Sequence, residues 1–461
     1  MKRLVVVGLD CLTPQWALEA WLGEMPNLKG LLERGIGARL RSTIPPITVP
    51  AWTAMLTSQD PGMLGVYGFR NRTSYEYDSL KVTNATVVKA RTVWNYLSRN
   101  RMKSLVMGVP QTYPPKPLNG IMVSGFMTPS KEVSYTYPEG VKEVLDRAAG
   151  GEYVIDVKDF RTEDKAALLE SVKKMTAARF RAFRALLRAD EFDFAMMVEM
   201  GPDRLQHGFW RFCDPSHRLY EAGNRHEHVL HDYYVSLDEE LGKTVEAAGE
   251  GASVMVVSDH GAKGMEGAIC INEWLQEQGY LRLKDRPTGR TRLSHEMIDW
   301  PKTKAWGEGG YYGRLFLNVA GREPQGSVPP GAYDSVRAEL KAALEALGDE
   351  EGKPIGTRVF RPEEVYREVN NIPPDLIVYF GDLNWRSAGS VGIGANHLRE
   401  NDTGPDDANH MEDGVLVWDL KSAQGGPPRK AERYQIYDVA PSILRFFGLE
   451  VPADMIGESI I

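Results

Sequence analysis

The sequence predicts an α/β fold: a mixed, mainly parallel central sheet sandwiched by helices, with a cap subdomain inserted late in the chain. Three observations carry that expectation. Short apolar, mostly β-branched runs, LVVVG at 4–8 and VMVV at 254–257, read as strands buried on both faces. Stretches of helical period lie between such runs, the order of elements in an α/β domain. Strands also end in Asp or His, at Asp10 and at Asp259-His260. Beyond the carboxyl ends of its strands is where an open α/β sheet binds ligands.

At 461 residues the chain is long for one compact core and implies a core plus a large insertion. A net charge of −8, spread along the chain, argues against a nucleic-acid polymer as partner and for a metal cation or small ligand. Cys11, Cys213 and Cys270 are far apart, which is no disulfide framework and fits a reducing, cytoplasmic compartment. Lys2 and Arg3 precede an apolar run, as in a signal peptide. That run is broken by Gly8 and ended by Asp10, so a first strand is the better reading, and no stretch is long enough to span a bilayer. Nothing in the sequence sets an oligomeric state.

In order, residues 3–9 form the first strand, residues 14–34 a helix and residues 38–42 a short strand. In PPITVPAWTAML, Pro50 suits the first turn of a helix, and Trp52, Met55 and Leu56 give that helix its buried face. Thr48 stands just before it. Its side chain is either an N-cap or a nucleophile whose phosphorylated form the helix N–H groups would hold. Residues 88–98 and 164–189 read as helices, and residues 104–109, 120–123 and 192–198 as strands. In EMGPDRLQHGFW, Asp203 and His207 are four apart and share one helical face. They are a pair of metal ligands or an N-cap and a surface histidine. His217, His226, His228 and His231 follow in a polar stretch and read as solvated or hydrogen-bonded. SDHG, at Ser258–Gly261, is a strand-end turn or a ligand site. Short strands are expected at residues 280–283, 314–319 and 376–380, and a helix at 333–347. His410 then precedes a strand at 415–418, and a helix at 439–447 closes the domain. We assign residues 1–261 and 405–461 to the core. Residues 262–404 are an insertion that supplies a cap and additional core strands.

Taken together, Asp10, Thr48, Asp203-x-x-x-His207, Asp259-His260-Gly261 and His410 form an ordered set. With the motifs PAWTAML, DRLQHGFW, VVSDHG and NHMEDGVLV, that set resembles the alkaline phosphatase superfamily, specifically its type I phosphodiesterase/nucleotide pyrophosphatase branch. The resemblance covers nearly the whole chain. It implies two divalent ions, Zn2+ in first place and Mn2+ as the alternative, around a small phosphorylated substrate. Asp10, Thr48, Asp259 and His260 would hold one ion, and Asp203, His207 and His410 the other. His397 in GANHLREN rivals His410 for the last place. Thr48 would be the catalytic nucleophile of a phosphodiesterase or nucleotide pyrophosphatase. A phosphoryl mutase, a phosphomonoesterase or a non-catalytic metal-binding relative are the alternatives. Three Asp and three His suit zinc or another borderline ion, where an all-oxygen set would suit magnesium or calcium.

Two departures stand out. Many relatives carry an Asn three residues after the nucleophile, where this chain has Ala51, and a common His in the next turn is replaced where Leu64 precedes Gly65. Arg70 or Asn71 would then have to supply the missing donor to the phosphoryl group. A mutase would need a closed, basic cap. The run Arg282, Lys284, Arg286, Arg290 and Arg292 lies in the insertion, facing the site or solvent. The sulfatase motif C/S-x-P-x-R does not occur near Thr48.

Overall fold

The computed structural model describes residues 2–421, 429 and 431–461. Its main sheet has nine strands, and Arg3–Leu9 is the middle one. That strand pairs in parallel with Phe194–Glu199 on one side and with Ala252–Val257 on the other. Helices cover both faces, so successive residues must be apolar in both directions. Val5 and Val7 enter one core, with Val254, Val256 and Met197, beneath helices Lys165–Ala189, Gly201–Cys213 and Val229–Ala248. Leu4 and Val6 enter the other, with Met255, Val257 and Val198, against helices Thr48–Thr57, Val93–Arg99 and Val439–Phe446. This is why the run at 4–7 shows no polar alternation.

Ser104–Met107 and Gly120–Val123 extend the parallel part beyond Phe194–Glu199. On the other side Asp413–Asp419 runs antiparallel to both Ala252–Val257 and Gly35–Arg41. The sheet is therefore mixed, parallel at its centre, as expected.

The helix expected at 14–34 is broken into a wide turn Gln15–Ala20, a tight turn Leu22–Glu24 and the helix Pro26–Glu33. Pro26 has no N–H to continue a helix but suits the start of one, so the segment restarts there. Residues 280–283 do not form a strand; Leu283 makes a single bridge to Ile298.

The insertion builds its own antiparallel sheet from Ala305–Glu308, Gly313–Leu317, Leu376–Tyr379 and Arg358–Phe360. Trp274, Trp306, Phe316 and Leu340 form its separate core. Among the described residues, no strand of 262–404 joins the main sheet, so the additional core strands expected there are not found. Antiparallel strands close their ladder locally and bury their apolar face on their own helices, so they need no place in the main sheet. The insertion leaves and returns side by side: Gly261–Gly264 pairs antiparallel with Ala408–Met411, setting Ala262 opposite His410.

Candidate active site

Three adjacent strands deliver the first residues of the site. Asp10 follows Arg3–Leu9, and Asp259-His260 follow Ala252–Val257. The third strand, Phe194–Glu199, runs into the helix Gly201–Cys213 that carries Asp203 and His207. The strands are parallel, so all three ends open into the same crevice. His410 arrives on the short ladder at the root of the insertion. Thr48 is the first residue of Thr48–Thr57, whose N-cap position is Ile47. The Thr48 side chain makes no capping bond; its Oγ1 lies 3.4 Å from His260 Nε2. Asp203 lies in its helix's first turn, and His207, far from being a surface residue, is 1% exposed.

Ionisable side chains buried this deeply need partners. Each imidazole is anchored at Nδ1. His260 Nδ1 lies 3.1 Å from Gly261 O, and His410 Nδ1 lies 2.7 Å from Pro46 O. His207 Nδ1 is 2.8 Å from an Asp406 carboxylate oxygen and 3.1 Å from Ala408 O. A ring nitrogen beside a carbonyl must be the N–H, which leaves Nε2 of His260 and of His410 as the lone-pair atom; in His207, whose protonated ring the two aspartates favour, a bound cation would take the place of the Nε2 proton. Each Nε2 meets a carboxylate oxygen: His260 is 3.2 Å from Asp259 Oδ2 and 3.9 Å from Asp10 Oδ1, His207 3.3 Å and His410 3.8 Å from Asp203 Oδ1. Those same three oxygens, Asp10 Oδ1, Asp203 Oδ1 and Asp259 Oδ2, are buried without a hydrogen-bond donor. Two groups of donor atoms converge within 4.8 Å: Asp10, Asp259 and His260, and Asp203, His260 and His410. Orphaned carboxylate oxygens beside oriented imidazole lone pairs are a donor set that fits a divalent cation.

The two carboxylate groups differ in charge. Burial, then the negative charge of Asp203, pushes the Asp10 carboxyl well above the carboxylate range. Burial and then Asp10 do the same to Asp259. For Asp203 burial also opposes ionisation, but the His207 ring and the Arg204 guanidinium, 2.5 Å away, hold it below that range. Burial works against charge on His207 too, yet Asp406 and Asp203 raise it to about 9. Burial lowers His260 to about 4.

His397 lies elsewhere. It pairs opposite Ile269 inside the insertion, with Nε2 2.9 Å from Gly348 O. Asn71 uses its amide on its own loop, accepting from Tyr67 N–H at 2.7 Å and donating to Gly68 O at 3.1 Å. Ala51 is fully buried in the apolar core beside Trp52, a poor place for a polar donor. His217 and His231 are hydrogen-bonded to Met265 O and to Asp232 respectively. Sequence reasoning missed the residues that orient the site. Trp52 donates its indole N–H to Asp10 Oδ2 at 2.6 Å, Asp406 holds His207, and Tyr311 stacks on His410 at 4.3 Å and on His207 at 4.7 Å. Asp406, four residues before His410, was the readable signal; Trp52 looked like core alone.

Outside the site lies a cavity of about 460 Å³ between the core and the insertion. Ile47, next to Thr48, and Tyr311 are part of its wall, and Arg70 lines it as well. Of the basic run in the insertion only Arg292 reaches it. Arg282 and Arg286 line another hollow with Glu273 and Glu277, and Lys284 and Arg290 are exposed.

A crevice of buried carboxylates and imidazoles at the carboxyl ends of parallel strands defines a class, the α/β proteins with a candidate cation site at the strand ends. The family model for type I phosphodiesterase / nucleotide pyrophosphatase matches residues 4–406. The chain belongs to that family, a family of metal-dependent phosphoric ester hydrolases within the alkaline phosphatase superfamily. Solved structures share the fold. Human ectonucleotide pyrophosphatase / phosphodiesterase 5 is 12% identical, covering 98% of this chain and 96% of its own, with a TM-score of 0.55. An inactive murine form in complex with AMP is 11% identical over the same shares, also at 0.55. Phosphonoacetate hydrolase from Sinorhizobium meliloti 1021, in complex with phosphonoformate, is 18% identical, covering 91% and 90%, with a TM-score of 0.56. A search of the curated proteins found no significant match. No helix among the described residues is long and apolar enough to cross a membrane.

Proposed function

We propose that the protein hydrolyses phosphodiesters or pyrophosphates with two divalent ions, zinc by preference and manganese as the alternative, and with Thr48 as nucleophile. The observation that carries this reading is the set of three donor-less buried carboxylate oxygens against three imidazole Nε2 atoms. Asp10, Thr48, Asp259 and His260 would hold one ion, and Asp203, His207 and His410 the other. Bound there, such ions lower the pKa of a hydroxyl or water and offset charge on attacking and leaving oxygens. Thr48 Oγ forms a bond to phosphorus as the bond to the leaving oxygen breaks. Water then attacks phosphorus and releases Thr48. The positive end of helix Thr48–Thr57 faces the phosphoryl oxygens throughout. Trp52 and Asp406 keep Asp10 and His207 in register for each cycle. Arg70 remains the donor proposed in place of the missing Asn.

The test is hydrolysis of an aryl phosphodiester by purified protein before and after chelation. Activity should vanish with the metal and return on adding zinc, and acid quench during turnover should trap phosphorus on Thr48. Hydrolysis that survives complete metal removal defeats the reading. A phosphoryl mutase is favoured only by the basic cavity and would yield an isomeric ester without free phosphate. We place the protein in the cytoplasm because Cys11, Cys213 and Cys270 are all unpaired.

A further inference from the structure

The cavity beside Thr48 is lined by Arg70, Arg161, Arg292, Arg314 and Arg386, against the carboxylates of Glu308 and Asp402. Arg161 is engaged, with Nε 2.8 Å from Asp406 Oδ2. Arg70, Arg292 and Arg314 have no ion pair among the described residues; Arg314 donates only to the Arg70 and Gly309 carbonyls. Arg386 is only 4% exposed, and its Nε and Nη1 lack any hydrogen-bond acceptor. The nearest carboxylate oxygen to it, on Asp406, is 3.7 Å away and already serves Arg161. Asp406 also holds His207 through its other oxygen. A buried guanidinium whose N–H groups lack an acceptor is costly, so an anion that accepts from them would be favoured at this wall. Arginine's planar fork matches carboxylate and phosphate oxygens two at a time.

We propose that this cavity binds a second oxyanion of the substrate, so that the true substrate is a small phosphate ester carrying a carboxylate or another phosphate at the end remote from the reacting phosphorus. The proposal rests on the hydrolase reading and names its substrate class. Position supports it. Ile47, next to Thr48, and Tyr311, which stacks on His410 and His207, both line the cavity, so it borders the reacting centre. A neutral alcohol or an uncharged nucleoside would leave Arg386 as it is, without an acceptor.

The test uses non-hydrolysable probes on zinc-loaded protein. Alkylphosphonates are compared by calorimetry with ω-carboxyalkyl and ω-phosphonoalkyl phosphonates of increasing chain length. A charged tail of matching length should bind at least about tenfold tighter than its uncharged counterpart, the worth of one charge-assisted hydrogen bond. The two charged series tell a carboxylate from a phosphate. The advantage should shrink to near parity in Arg386→Gln. Because Arg386 is buried and its variant risks misfolding, exposed Arg292→Gln, combined with Arg314→Gln, is read as well. Equal binding of charged and uncharged tails, or a charge preference that survives both sets of substitutions, overturns the proposal. If hydrolysis proves independent of metal while the charge preference and its loss in Arg292→Gln hold, the two-metal reading fails and this one stands.

Discussion

Asp10 and Asp203 are both buried aspartates in one crevice, and their carboxyl groups shift in opposite directions. Asp203 has cationic company from within the chain: Arg204 at 2.5 Å and the His207 ring at 3.3 Å. Asp10 receives the Trp52 indole N–H and Asp259 the Cys11 backbone N–H at 3.2 Å, and burial disfavours charge on the ring beside them, His260. One half of the site is already neutralised by protein. The other half is a pair of carboxylates whose ionisation burial and mutual repulsion oppose unless positive charge is supplied. The halves thus share residue types and differ in how far they depend on a cation from outside.

The largest expected effect falls on the cation-dependent half. Thr48→Ala should lower turnover of an aryl phosphodiester by at least about a thousandfold while leaving the fold intact, because the Thr48 side chain caps nothing. Thr48→Ser should keep part of the activity. Steady-state rates beside thermal melts decide it. An Ala variant with normal turnover would mean that the site activates water directly.

On the neutralised half, His410→Ala removes an Nε2 donor and should reduce both activity and metal content by orders of magnitude. His397→Ala, bound only to the Gly348 carbonyl, should change little. Elemental analysis that finds metal lost from the His397 variant instead would reverse this assignment.

The sharpest contrast is in metal-free stability. A carboxyl raised above its ordinary value holds its proton longer when folded. Asp10 and Asp259 therefore cost stability as pH rises above the ordinary carboxylate range. Asp203, held below that range, adds stability at neutral pH that is lost as pH falls through its lowered value. After chelation, Asp10→Asn should raise neutral-pH stability by about 1–2 kcal/mol, and Asp203→Asn should lower it by about 3 kcal/mol. Denaturant melts measure both. Shifts of the same sign would erase the distinction between the halves.

The smallest effect separates orienting groups. Trp52→Phe keeps an aromatic ring in the core and deletes the donor to Asp10, and Asp406→Asn weakens the hold on His207. Each should cost roughly 10- to 100-fold in metal affinity, read by competition with a chromogenic chelator. No change in either would make these contacts packing alone.

The central strands were legible because burial on both faces leaves no polar alternation, and the strand-end residues Asp10, Asp259 and His260 followed from them. Asp203 and His207 were legible through helical spacing. Other features were not. Trp52 has the composition of a core residue whichever way its indole N–H points. Arg386 comes from a strand of the insertion, and only tertiary structure brings it beside Tyr311. The insertion's strands looked like those of the core because a strand's pattern does not name the sheet it joins.

The short ladder between Gly261–Gly264 and Ala408–Met411 has one more consequence. It works as a hem: whatever length of chain is gathered beyond it, the two edges stay stitched at the same spacing. Closing a longer loop costs only about 0.6 kcal/mol for each doubling of its length. Chain added or removed beyond the stitch would alter the arginine-lined room above the crevice and leave the interval between His260 and His410 as it is. The part of the molecule that selects what enters is thus free to change size without disturbing the part where bonds are broken.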